Sequence, residues 1–241
     1  MKRGKLLGVL SAVALTSGVA AVAGKLYSAQ LAKPVAVTVV SKWDSYDSTG
    51  KYKRTRSKII AVRGDGSQME SVGLTTPEGV SFDNRVVYDV SEMREVAMQN
   101  VSKSKTSKEL SASALNILQN NRIGCDSKDS PRSSYRGYEI VKNIRNLPKG
   151  ADGSELIAES WLAPALNCME LQRNTSRVTN GHAVVLSRIS AQVIAVGEPD
   201  SALFQVPADY VERSQADTIR ETERILGLPP RPLPNHIQAT R

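Results

Sequence analysis

Two cysteines, two histidines and one dense run of cations are the side chains in this sequence whose types and spacing can do chemistry. Cys125 and Cys168 have no third cysteine to compete for either. In an oxidising compartment such an isolated pair forms one disulfide. Closing so long a loop is worth about 4 kcal/mol in the chain-entropy model, less any strain. A metal site needs ligands at CxxC or HxxxH spacing; His182 and His236 stand apart, so no metal is expected. Nucleophilic catalysis needs an activated Ser or Cys beside a base. No Gly-x-Ser-x-Gly elbow is present, and His182 and Ser187 lie along one extended segment with no orienting carboxylate near them in sequence. Gly64-Asp65-Gly66-Ser67 lacks the strand-to-helix setting of a phosphate loop and reads as a hairpin turn. No motif asks for a cofactor, and no enzymatic activity is expected.

The cation run is Lys51, Lys53, Arg54, Arg56 and Lys58, with Trp43, Tyr46 and Tyr52 close by. Cations neutralise phosphates and rings stack on bases, so a nucleic-acid surface is one reading. Contact with an anionic surface, lipid or glycan, is the second. The plainest is a solvated strand face, where lysine also deters edge-to-edge pairing.

The first residues weigh against nucleic acid. Lys2, Arg3 and Lys5 form a positive segment, an apolar run from Leu6 to Val22 follows, and Ala21-Val22-Ala23 offers a small-x-small cleavage site. The pattern predicts a signal peptide over residues 1–23, cut after Ala23, and hence a periplasmic or secreted protein. The alternative is an N-terminal membrane anchor, for which an apolar run of this length is at the short limit. Losing the three cations of that segment lowers the net charge from +8 to +5. A mildly basic exported protein attracts anionic headgroups or acidic glycans without any need for nucleic acid.

The elements that must hold these residues are mostly strands. Ile189, Ala191 and Val193 alternate with Arg188, Ser190 and Gln192 within an extended run from His182 to Val196, which predicts a sheet with one dry and one wet face. Val35–Val40, Tyr52–Arg63, Gln68–Leu74, Arg85–Val90 and Arg94–Gln99 read as further short strands. Thr106-Ser107-Lys108-Glu109 fits a capping box, with Leu110, Ala114, Ile117 and Leu118 on one face, so a helix of three to four turns is expected there. Tyr135–Ile144, Glu155–Leu162 and Asn167–Arg173 return to strand. Trp161, Phe204, Val206 and Tyr210 are expected in the core, the last three as an apolar plug pinned between Pro199 and Pro207. Ser214 can cap a short last helix ending at Gly227, ahead of a stiff Pro-rich tail.

Trp161-x-x-Pro164-x-x-x-Cys168, followed by the run Glu198 to Tyr210, resembles the C-terminal half of an uncharacterised family of exported bacterial proteins. That family is similar to the half-barrel domains of LolA-type carriers, which sort outer-membrane lipoproteins. Arg63–Ser67 and Arg85–Asp89 resemble segments of its N-terminal half. The resemblance implies an α+β or mostly β fold in which a curved antiparallel sheet, an incomplete barrel, wraps around a central helix. The expected organisation is then 1–23 signal peptide, 24–34 linker, 35–213 half-barrel-like domain, 214–227 C-terminal helix and 228–241 Pro-rich tail.

Three functions stand in order. The first is a non-catalytic envelope protein binding a hydrophobic or amphiphilic ligand in the half-barrel, its partner a lipid, a lipoprotein or another envelope component. The second is a structural or interaction module whose barrel is filled by its own side chains. A hydrolase with dispersed catalytic residues is the weakest. Neither the ligand nor the oligomeric state is written in the sequence.

Overall fold

Along Val37–Tyr46 every second side chain goes into the interior: Val37, Val39 and Ser41 are buried, while Thr38 and Val40 are only partly covered. This is the period of two that a strand imposes, and it builds β1, the centre of the molecule. The computed structural model describes residues 34–75, 79, 81–120, 125, 130–149, 153–179, 181–230 and 232. The expected signal peptide and cleavage site, the linker up to residue 33, and residues 231 and 233–241 of the tail lie outside them.

From β1 the chain meanders outward through β2 (Tyr52–Val62), β3 (Gln68–Thr75), β4 (Ser81–Asp89), β5 (Arg94–Gln99) and β6 (Ser104–Glu109). Helix α1 (Ala112–Asn120) follows. A second meander runs β7 (Arg132–Tyr135), β8 (Tyr138–Leu147), β9 (Glu155–Ala163), β10 (Met169–Thr179) and β11 (His182–Val196). The chain ends with a two-residue strand β12 (Val211–Glu212) and helix α2 (Gln215–Ile225). Among the described residues twelve strands form one sheet in the order β12-β6-β5-β4-β3-β2-β1-β11-β10-β9-β8-β7. The two meanders meet at β1, which pairs antiparallel with β2 on one side and β11 on the other. Every pairing is antiparallel except β12 on β6. The end strands do not pair with one another, so the sheet is unclosed.

Each outer edge is managed. β7 is only four residues long. β6 is overlaid by the returning chain: Val211 N–H donates to Lys103 O at 2.9 Å, and the Glu212 carboxylate accepts from the Ser107 N–H at 2.7 Å. Such covering removes a row of free backbone groups that would otherwise template aggregation.

Two hydrophobic clusters use opposite faces of the N-terminal strands. Val62 packs with Val37, Val39, Leu166, Leu171 and Ala191, whereas its chain neighbour Ala61 packs with Met69, Val87, Val96 and Met98. Consecutive strand residues point to opposite faces, so the sheet is buried on both sides here. The second cluster is capped by Leu203, Phe204, Val206 and Tyr210.

Four expectations need correction. Thr106–Glu109 is the end of a strand, not a capping box; its residues pair with β5, and Lys108 bridges Glu95 at 3.0 Å. The helix starts later and has nine residues, Ala112–Asn120, with Ser111 Oγ accepting from the Ala114 N–H at 3.1 Å. It is therefore shorter than the expected three to four turns; Leu118 is buried and Ile117 is 58% exposed. The alternation along β11 breaks at Gln192, an extra residue opposite β1, because Val40 pairs with Val193 and Ser41 with Ala191. That bulge puts Val193 on the outside, 54% exposed, while Ile189 and Ala191 are buried. Tyr135–Ile144 is a hairpin rather than one strand, turned at Arg136 and Gly137, both with positive φ.

Candidate functional site

On β2 the in-phase residues Lys58, Ile60 and Val62, and on β3 Gln68 and Glu70, line one side of a cavity of about 490 Å³. Asn143 and Arg145 of β8, Ser160 and Leu162 of β9, and Glu170 and Arg173 of β10 line the other. β3 and β8 stand six places apart in the strand order. In a flat sheet that is a separation of about 29 Å at the usual strand spacing, so the sheet curls and this is its concave face. Ile117 of α1 and the Cys125–Cys168 pair contribute a further wall. Among the described residues no aromatic side chain lines it.

The lining has two characters. Val35, Ile60, Val62, Ile117, Leu162, Leu166 and Met169 are apolar; apart from the disulfide and the Ser160 hydroxyl, the rest is charged or amide. Lys58 Nζ lies 3.7 Å from Glu70, whose other oxygen accepts from Gln68 Nε2 at 2.9 Å. The Glu170 carboxylate is better enclosed, and takes hydrogen bonds from Ser160 Oγ and Arg173 Nε, both at 2.8 Å. A buried carboxylate is tolerated when it is paired and hydrogen-bonded in this way. These groups can hold and orient a polar ligand.

The wall at Cys168 is shaped by its backbone. Pro164–Leu166 is a short 3-10 turn, and both Asn167 (φ 52°) and Cys168 (φ 60°) then adopt the left-handed region, which costs any residue but glycine. Cys168 is bonded to Cys125, with Cα atoms 5.6 Å apart, and its Sγ accepts from the Cys125 N–H at 3.2 Å. The disulfide ties the segment after α1 to the β9–β10 corner. It is the bond of an oxidising compartment and favours a non-cytoplasmic setting. Among the described residues no helix is long and apolar enough to cross a membrane.

The basic run divides. Arg54, Arg56 and Lys58 alternate onto the concave face, where Lys58 reaches the cavity. Lys53 is the extra residue at a bulge opposite Ser45 and Tyr46, and Lys51 precedes the strand; both are exposed. Arg56 stacks on Trp43, its Cζ 4.9 Å from the ring centroid. Burial, and then the charge of Arg54, lower the Arg56 pKa. The apolar set also divides. Trp161 packs on the first cluster, with Lys142 Nζ 5.6 Å from its ring centroid, while Phe204, Val206 and Tyr210 cap the second. His182 is exposed at the β10–β11 turn, and His236 lies outside the described residues.

Sequence reasoning missed the C-terminal half of the cavity: Arg145, Ser160, Glu170 and Arg173. Their signal was present as polar residues at in-phase positions of strands, but it becomes a site only when the sheet curls.

These features define a mostly β chain folded into one curved, open sheet over a lined hollow. No family model and no curated protein sequence matches it. Among solved structures, LprF from Mycobacterium bovis is similar at 13% identity, over 73% of this chain and 90% of that one, with a TM-score of 0.33.

Proposed function

We propose that this is an exported, non-catalytic envelope protein whose half-barrel binds an amphiphilic molecule in its concave face. The observation that carries this reading is the two-sided lining of the 490 Å³ cavity, apolar at Val62 and Leu166 and charged at Lys58, Glu170 and Arg173. Its size falls within the range of small-ligand pockets, which combine apolar walls with a few fixed polar groups. A purely hydrophobic cargo would strip water from those charged groups and return no polar contact, at a cost. An amphiphile satisfies both halves. Native mass spectrometry of protein purified from the envelope, with solvent extraction of the same sample, tests it. The expected result is a co-purified amphiphile in substoichiometric or greater amount; protein that carries none and takes up no acyl probe would sink the reading.

The interaction module keeps one specific support. On the opposite face the second cluster is filled by the chain's own Leu203, Phe204, Val206 and Tyr210. That face stores no ligand and leaves the exterior for protein contacts.

A further inference from the structure

Among the described residues, Arg145 lines the cavity without an acid of its own, whereas both lining acids are engaged, Glu70 by Lys58 at 3.7 Å and Glu170 by Arg173 at 2.8 Å. The pairing register extends this imbalance. Arg54–Ser45–Ser187–Thr175–Ala158–Arg145 is one continuous row of opposed residues across five strand pairings, and Arg56–Trp43–Ile189–Arg173–Ser160–Asn143 is the next. Opposed residues of antiparallel strands share a face, so Arg54 and Arg56 belong to the same face as Arg145 and Arg173. Because the sheet curls, the β2 ends and β8 ends of both rows turn toward one another across the hollow. Lys58, Arg145 and Arg173 therefore line it, with Arg54 and Arg56 on the same face, against two lining acids that already have partners.

A second observation points the same way. Trp43 Nε1 and Arg56 Nε, in the second row, and Asn167 Nδ2, on the cavity wall, are buried with no hydrogen-bond partner among the described residues. All three are donors. Buried polar groups in native proteins find a protein, water or ligand partner, and donors beside spare positive charge are matched by the oxygens of an anion. The apolar lining residues Ile60, Val62 and Leu166 lie further along the same face.

We propose that the hollow takes a single-chain amphiphile with an anionic phosphate head, the head on Arg145, Lys58 and Arg173 and the tail along Ile60, Val62 and Leu166. The inference rests on the binding function proposed above and names its ligand class. Calorimetric titration of the full chain with dodecyl phosphate, dodecylphosphocholine and inorganic phosphate, each below its micelle concentration where it has one, separates the alternatives. The expected result is at least tenfold tighter binding of dodecyl phosphate than of dodecylphosphocholine, and weaker binding still of inorganic phosphate. Arg145→Gln should cut the preference between the two amphiphiles at least fivefold, and Arg145→Lys should restore part of it. Arg145 is exposed, so the variant's circular dichroism and melting point should match the parent's. Equal affinity for the two amphiphiles overturns the headgroup assignment and leaves the binding function standing. Binding of inorganic phosphate as tight as that of dodecyl phosphate overturns it in favour of a small-anion site. Binding of none of the three sinks this inference and the function beneath it together.

Discussion

The guanidinium carbon of Arg63 lies 4.1 Å from the ring centroid of Phe204, which binds the β2–β3 hairpin to a segment about 140 residues later in the chain, a long-range closure of the kind that topology makes costly to form. Two neighbours reinforce the contact. Gly64 N–H donates to Glu198 Oε1 at 2.8 Å, and Arg85 Nη1 reaches Leu203 O at 3.4 Å. The closing run is thus held over the second cluster by cations and backbone as well as by apolar burial.

Phe204→Ala should therefore destabilise the fold by about 2 kcal/mol, combining the loss of a partly buried ring with its cation contact. Arg63→Ala should cost less, about 0.5–1 kcal/mol, because its site is open to solvent on one side. Urea unfolding followed by tryptophan fluorescence measures both. Equal losses for the two variants would mean that the charge, rather than the ring, secures the run.

Reduction should weaken the protein without abolishing the sheet. The disulfide spans a separation of 43 residues, which the chain-entropy relation converts to about 4 kcal/mol. A Cys125→Ser/Cys168→Ser pair should lower the urea midpoint correspondingly while the β-sheet circular dichroism signal persists. An unchanged midpoint would show that the closed loop is already ordered in the unfolded ensemble.

Met69 and Leu171 are both fully buried, one in each cluster. Truncating either to Ala should cost about 2–5 kcal/mol, the usual range for a large side chain lost from a core. Since the clusters do not share these residues, the double variant should lose the sum to within about 0.5 kcal/mol. A double-mutant cycle on the urea midpoints checks this, and a coupling of more than about 1 kcal/mol would contradict two independent layers.

Stability should fall with acid in part through Asp44. Burial pushes its pKa up, but this is outweighed by the hydrogen bond from Thr55, then by that from Lys42 and by the charges of Lys42 and Arg188, so the net value lies below the ordinary 3.8. Lys42 Nζ stands 3.0 Å from it. With the folded pKa depressed, the unfolded chain binds the proton first, so this contribution is present above the ordinary value and lost as pH falls through the depressed one. Unfolding midpoints taken from about pH 5 down to about pH 2 should show a shallower decline for Asp44→Asn than for the parent. Parallel curves would remove Asp44 from the acid response.

Much of this architecture was legible because it is written in period two. The limits of β5 and β11, the turn at Gly64–Ser67 and the Ser214 cap of α2, whose Oγ accepts from the Asp217 N–H at 3.1 Å, all follow from local chemistry. Failures occurred where a distant strand decided the outcome. Thr106–Glu109 carried a helix signal but had β5 and the returning Glu212 to pair with. The inward side of β11 changed at Gln192 because β1 has one residue fewer between its matched positions. The site was harder still, since Arg145 and Lys58 are 87 positions apart and meet only through the curl of strands between them.

The central seam joins an early strand to a late one, Val37 opposite Val196 and Ser45 opposite Ser187. A polypeptide emerging from its N-terminus can lay down β2 to β6 promptly, yet one flank of β1 must wait for nearly the whole domain to be synthesised. During that interval its unsatisfied amides and carbonyls, with Val39 and Val37 beside them, form an adhesive border for any neighbouring nascent chain. A holding chaperone or low local crowding until residue 196 has cleared the exit would therefore favour productive maturation.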